Sequence, residues 1–171
     1  MIRIPFLKMH GLGNDFVVID RRSGPARGLV LDDATIRRIS DRRHGVGCDQ
    51  FILIDPTDDD PIAAGGADAV MRIHNADGGE VGACGNATRC VGALLMDESG
   101  LGRATIATIS GLLRASRDAE QHEAGTVTVD MGPARLDWRQ IPLAAPADTL
   151  AVEAVEVGPL KLPGGVNVGN P

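Results

Sequence analysis

Hydrophobic and polar residues change period several times along the chain, and each change marks an element. Residues 2–8 and 16–20 are apolar-rich and flank a Gly-rich bend at 10–14, the pattern of two short strands joined by a turn. Asp32 or Asp33 then suits a helix N-cap, and Leu31, Ile36 and Ile39 give a short amphipathic helix ending near Arg43. Gly45 and Gly47 break it. Residues 51–55 are a compact apolar run, read as a buried strand. Residues 55–66, with two prolines and several aspartates, read as a solvated loop. Residues 70–74 alternate as a strand does. The longest helical pattern follows at 86–98, with Ala87, Val91, Leu94 and Leu95 on one face and Gly100 as its stop.

Beyond that helix, residues 104–110, 112–116 and 125–131 read as antiparallel strands with short turns. Residues 133–146 are rich in Pro and Ala and resemble a linker, and residues 150–157 begin another strand pattern. Strands mostly follow one another directly instead of alternating with helices. That order predicts an α+β fold: a mixed, largely antiparallel sheet wrapped around one central helix, and not a doubly wound parallel sheet.

Composition narrows the function classes. Hydrophobic residues make up 43% of the 171, enough for an ordinary core, but one Trp, three Phe and no Tyr make that core aliphatic. A formal charge of -6 without aromatic platforms argues against nucleic acid as a partner. No apolar run approaches the roughly 18 residues of a membrane span, and residues 1–6 do not have the form of a signal peptide. The expected compartment is the cytoplasm. Three cysteines are too few and odd in number for a disulfide framework. Cys84 and Cys90, six positions apart, point roughly 120° apart around a helix and have no His at ligand spacing, so no metal site is expected.

The segment N-A-D-G-G-E-V-G-A-C-G-N-A-T-R-C, residues 75–90, carries the candidate chemistry. A polar, Gly-rich loop delivers Cys84 to the start of a helix, where unpaired backbone N–H groups and a partial positive charge stabilise an anion. A thiolate is such an anion, and the N–H groups of Gly85 and Asn86 can also receive a carboxylate. Cys90, inside the helix beside apolar neighbours, reads as core. Cys48, in G-V-G-C-D-Q, reads as a small space-filling residue near the site. The G-x-G within residues 8–20 is not a dinucleotide fingerprint, because Phe16 stands at the third glycine position and a strand follows. Asn14 is there either a pocket residue or a plain turn residue. His10, His44, His74 and His122 are dispersed without partner acids and read as structural.

Four segments together resemble the diaminopimelate epimerase family: K-M-H-G-L-G-N-D-F at 8–16, R-R-H-G-V-G-C-D-Q at 42–50, N-A-D-G-G-E at 75–80 and A-C-G-N-A-T-R-C at 83–90. V-D-M-G at 129–132 and V-G-N-P at 168–171 fit as well. The resemblance implies the first of two pseudo-symmetric domains, here residues 1–132. Residues 133–171 would then be a linker and the start of an incomplete second domain. It implies an isomerase that needs no cofactor and converts LL- to meso-diaminopimelate, a small-molecule substrate, for lysine and peptidoglycan biosynthesis. Two cysteines on opposite faces of the substrate would act as base and acid. The family's catalytic cysteine falls on Cys84, and its substrate contacts fall on Asn14, Gln50, Asn75, Gly85, Asn86 and Asn170. Family members are often dimers, and no membrane partner is implied.

The partner cysteine of the family lies past G-N-P. The expectation is therefore a truncated chain that is inactive alone. Two alternatives stand beside this one. A proline or hydroxyproline isomerase of the same superfamily is disfavoured by Asn86, where proline racemases carry His. A non-catalytic binding domain would also fit a chain without a second active thiol.

Overall fold

A computed structural model describes residues 3–58, 60–117, 126–153 and 155–169. The chain divides into two compact units, Met1–Asp130 and Met131–Asn170.

The first unit is built on one sheet of eight strands: β1 (Leu7–Gly11), β2 (Asn14–Asp20), β3 (Gln50–Asp55), β4 (Ala69–Asn75), β5 (Glu80–Val81), β6 (Arg103–Thr108), β7 (Gly111–Ser116) and β8 (Thr128–Asp130). Their order is β1-β2-β3-β4-β6-β7-β8, with β5 folded back on the end of β4. Two neighbour pairs, β2 with β3 and β4 with β6, run parallel and the others antiparallel. The expected mixed, largely antiparallel α+β architecture is the one found.

The runs F-V-V-I in β2 and F-I-L-I in β3 are apolar at every position because both faces of the sheet are covered. Alternation sends Phe16, Val18, Ile52, Ile54, Met71 and Ile73 to one face, against the long helix α2 (Gly85–Ser99). It sends Val17, Ile19, Phe51 and Leu53 to the other, against Ile36 of α1 (Asp33–Ser40). Each of these large buried side chains contributes roughly 1.5–3 kcal/mol relative to exposure. α2 packs against β1 at one end of the strand order and against β6, β7 and β8 at the other. The sheet therefore curls around it. Gly92 permits the closest approach: a Cβ there would lie 2.5 Å from the Cβ of Ala115 on β7.

Several boundaries differ from the sequence reading. The first hairpin is longer at its tip, since β1 runs to Gly11 and β2 begins at Asn14, leaving only Leu12 and Gly13 as the turn. α1 ends at Ser40, not near Arg43. Asp32 is its cap, accepting the Thr35 N–H at 2.8 Å. α2 starts at Gly85, one residue earlier than expected. The short β5 was not anticipated.

In the second unit, residues 133–146 are more than a linker. They hold a 3₁₀ turn at Trp138–Gln140, and Arg135 forms a β-bridge with Asn167. The strand expected at 150–157 is reduced to β9 (Glu156–Val157), paired with β10 (Leu160–Lys161). Val152 is buried, but Leu150, Val155 and Val157 are exposed, so no continuous apolar face holds the segment extended. Among the described residues no helix is long and apolar enough to cross a membrane.

Candidate active site around Cys84

Cys84 is the N-cap of α2. Its backbone is extended, and its sulfur accepts the Ala87 N–H at 3.5 Å, the place a Ser or Asp oxygen takes in an ordinary cap. The Cys84 carbonyl accepts from both the backbone N–H and the hydroxyl of Thr88, each at 2.9 Å. Thr88 is fully buried, so the cap is fixed from inside the core. A helix leaves its first N–H groups without intrahelical partners. Those of Gly85 and Asn86 are the first two of α2, directly after the capping cysteine. Asn86 is steadied by Arg89, which donates to its side-chain oxygen at 2.9 Å.

Three amide side chains share the sheet face that α2 covers. Gln50 and Asn75 are directly paired across β3 and β4. Phe16 is the register partner of Gln50 in the parallel pair, so Asn14, two residues earlier, points the same way. Asn14 Nδ2 donates to Cys84 Sγ at 3.8 Å, and Gln50 Nε2 donates to Asn75 Oδ1 at 3.2 Å. Gln50 Oε1 is buried with no hydrogen-bond partner among the described residues. A buried acceptor left open costs about 1–3 kcal/mol unless something donates to it.

Two turns bring these groups together. Leu12 and Gly13 both have positive φ, 54° and 92°, the sign pattern of a type I′ hairpin, which delivers Asn14 directly after the turn. The other turn follows Asn75. The Asn75 N–H donates to the Gly79 carbonyl and the Gly78 N–H to the Asn75 carbonyl, at 2.8 and 2.9 Å. Gly78 has φ +94°, and a Cβ there would lie 2.7 Å from that of Asp33. Arg37 of α1 donates twice to the Asp77 carbonyl, at 3.1 and 2.8 Å, which ties the loop to the helix beside it.

The other thiols are set apart. Cys48 is not beside Cys84: it belongs to the cluster on the α1 face of the sheet, with its sulfur 3.4 Å from the Ser40 hydroxyl. Cys90 is buried in the α2 cluster and also borders a cavity of about 610 Å³ between β1, α2 and the segment entering β8. Burial pushes the Cys90 thiol up, and the proximity of Cys84 adds to that. Asn170 and His122 lie outside the described residues. Among the described residues no three His, Cys, Asp or Glu side chains gather as a metal-binding group.

Sequence reasoning missed the charged groups on the far face. Asp15 and Asp49 adjoin Asn14 and Gln50 in the chain, so strand alternation turns them to the opposite side. The Asp15 N–H donates to Asp49 Oδ2 and the Asp49 N–H to Asp15 Oδ1, each at 3.0 Å. Arg42 reaches both carboxylates, at 2.6 Å and 2.7 Å, and Lys8 reaches Asp15 at 2.6 Å. Arg42 above all, then Lys8 and the Asp49 N–H, hold the Asp15 carboxyl well below the usual carboxylate range, against the opposing effect of burial. The signal lay in two charged residues each adjoining a candidate amide, with opposite charges nearby in the same two segments.

The sequence pattern of the family described as Diaminopimelate epimerase matches residues 6–136. Diaminopimelate epimerase of Rhodospirillum centenum is 55% identical over 166 residues, covering 97% of this chain and 53% of the relative. That of Phenylobacterium zucineum is 52% identical over 170 residues, covering 98% and 56%. The chain thus spans about half the length of the curated relatives it matches. Among solved structures, a probable proline racemase from Agrobacterium radiobacter superposes with a TM-score of 0.53 at 21% identity, over 79% of this chain and 44% of that one. A hydroxyproline epimerase from Agrobacterium vitis gives 0.52 at 20% identity, over 77% and 43%. At such identities these two share the fold.

Proposed function

This chain belongs to the diaminopimelate epimerase family, and on that premise we propose that it supplies the Cys84 half of a site that inverts an α-carbon of LL-diaminopimelate to give the meso form. The observation that carries the reading is the sulfur of Cys84 at the N-cap of α2, receiving the Ala87 N–H beside a row of amides.

The α-hydrogen of an amino acid is a very weak acid, and a cofactor usually spreads the charge its loss leaves behind. Without one, the protein must supply a desolvated base, a proton donor on the opposite face, and hydrogen bonds to the carboxylate as charge develops on it. Cys84 as thiolate takes the α-proton in one direction and, as thiol, returns a proton in the other. The N–H groups of Gly85 and Asn86 receive the carboxylate. Asn14, Gln50 and Asn75 orient the substrate, with the open Gln50 Oε1 accepting from an ammonium group. Asn170 completes the set by resemblance to the family. Neither Cys48 nor Cys90 faces Cys84 across a substrate, so the second thiol comes from outside these 171 residues.

We read residues 1–132 as the first of two epimerase domains and the rest as leading into the second. Lysine and peptidoglycan biosynthesis, a homodimeric full-length form and a cytoplasmic setting for three free thiols complete the reading. Substrate protection tests it. Millimolar LL- or meso-diaminopimelate is expected to slow iodoacetamide labelling of Cys84, with proline giving no protection. Labelling indifferent to diaminopimelate, or slowed equally by proline, contradicts the proposal.

A further inference from the structure

We propose that Asp15, Arg42 and Asp49 form a positioning device on the far face of the sheet, which holds the Asn14 amide against the sulfur of Cys84. The inference rests on the reading of Cys84 as the reactive thiol.

The geometry has two sides. On one, the carboxylates of Asp15 and Asp49 accept each other's backbone N–H at 3.0 Å, and the Asp49 N–H also donates to the Asp15 carbonyl at 3.0 Å. Arg42 bridges the pair through Nη2, and Lys8 closes it from β1, donating to Asp15 and to the Gly47 carbonyl. These contacts lock the first residues of β2 to the residue that enters β3, independently of the ladder between the strands. On the other side, the residue adjoining each aspartate is the first of its strand and an amide, Asn14 of β2 or Gln50 of β3, on the face that α2 covers.

Asn14 is the pivot. It follows a two-residue turn and lies at the very end of its strand, where a backbone without further support frays. Its Nδ2 reaches Cys84 Sγ at 3.8 Å, and a donor at that place favours the anionic form of the sulfur. A shift of the backbone at Asp15 moves this amide directly. Every side-chain contact of the network is charge-assisted, which suits it to hold geometry rather than only to add stability. The well-depressed carboxyl of Asp15 keeps it charged at any physiological pH.

The experiment measures the rate constant for iodoacetamide alkylation of Cys84, by peptide mapping, in the full chain and its Asp15→Asn, Arg42→Gln and Asn14→Ala variants. Near pH 7 each variant is expected to label about fivefold more slowly, the net worth of one ordinary hydrogen bond. Near pH 10, above the roughly 8.5 of a free thiol, the slowing is expected to disappear, since thiol ionisation no longer limits alkylation there. In the Asn14→Ala background, Arg42→Gln is expected to add nothing, because it acts through that amide.

Several results overturn the proposal: unchanged labelling in Arg42→Gln, slowing that persists near pH 10, or slowing that adds to that of Asn14→Ala. Arg42 is more than half exposed, so Arg42→Gln carries the test if Asp15→Asn fails to fold. Loss of the fold in both variants shows a purely structural network and also overturns it. If Cys84 of the unaltered chain labels no faster than Cys48 and Cys90, the underlying reading of the thiol has failed. A fast Cys84 with unaffected variants sinks only the positioning device.

Discussion

Gln50 and Asn75 stand directly opposite each other on β3 and β4, and Gln50 spends its amide N–H on Asn75 while its own oxygen stays buried and open. A folded chain rarely keeps such an oxygen idle. Two amides from segments 25 residues apart thus form one polar end to an otherwise aliphatic sheet face. That polar end adjoins the strand whose first residue touches Cys84.

One prediction concerns what this half-site does with substrate. On the proposed reading, inversion requires proton delivery to the face opposite the one deprotonated, and that reading gives the role to neither Cys48 nor Cys90. Incubated alone with LL-diaminopimelate in deuterated water, the chain is expected to give no inversion above the buffer blank when the α-proton is followed by NMR. Inversion well above the blank would show that 171 residues suffice.

A second concerns the contact between α2 and β7. Gly92→Ala improves helix propensity by about 1 kcal/mol. It also puts a methyl 2.5 Å from the Ala115 methyl, both fixed to backbone. Overpacking of that kind costs about 1–3 kcal/mol, so a net loss in stability is expected in urea unfolding. Ala115→Gly in the same background is expected to recover much of it. A Gly92→Ala chain as stable as the original contradicts the packing described.

How much of this was legible in the sequence depends on the distance between partners. The runs F-V-V-I and F-I-L-I announced buried strands because local hydrophobicity sets them, and the Gly100 stop of α2 is equally local. The hairpin tip was misplaced because Leu12, not a glycine, takes one of its two positive φ angles, and nothing in a leucine advertises that. Cys84 was placed near the helix start but not as its cap, since cysteine is not among the usual capping residues. The Asp15–Arg42–Asp49 network joins residues 27 and 34 positions apart, which no periodicity encodes. Cys48 reads as near the site from its neighbours in sequence, but it precedes β3 in the irregular segment after α1, where its N–H donates to the Ser40 carbonyl and its side chain joins the α1-side cluster.

A third prediction follows from the charge on Asp15. Its carboxyl titrates below the roughly 3.9 of an unfolded chain, chiefly because of Arg42. A depressed folded value stabilises the protein above the unfolded value, and the contribution is lost as pH falls through the folded one. Arg42→Gln is therefore expected to lower the urea midpoint by a constant amount above about pH 5 and by less as the pH falls further below the ordinary carboxylate range. Midpoints measured from about pH 7 to pH 2 check this. A deficit that grows on acidification contradicts the pairing.

The measurement that bears most directly on Cys84 as the reactive thiol is the order in which the three cysteines are alkylated. Cys48 is 2% exposed, and Cys84 and Cys90 are 7% exposed each, so accessibility alone does not separate the last two. Their surroundings do. Cys84 caps a helix and receives two N–H donors, whereas burial pushes the Cys90 thiol up. After brief iodoacetamide exposure near neutral pH, peptide mapping is expected to find Cys84 modified well ahead of Cys90 and Cys48. Equal labelling of the three, or Cys90 reacting first, would contradict the account.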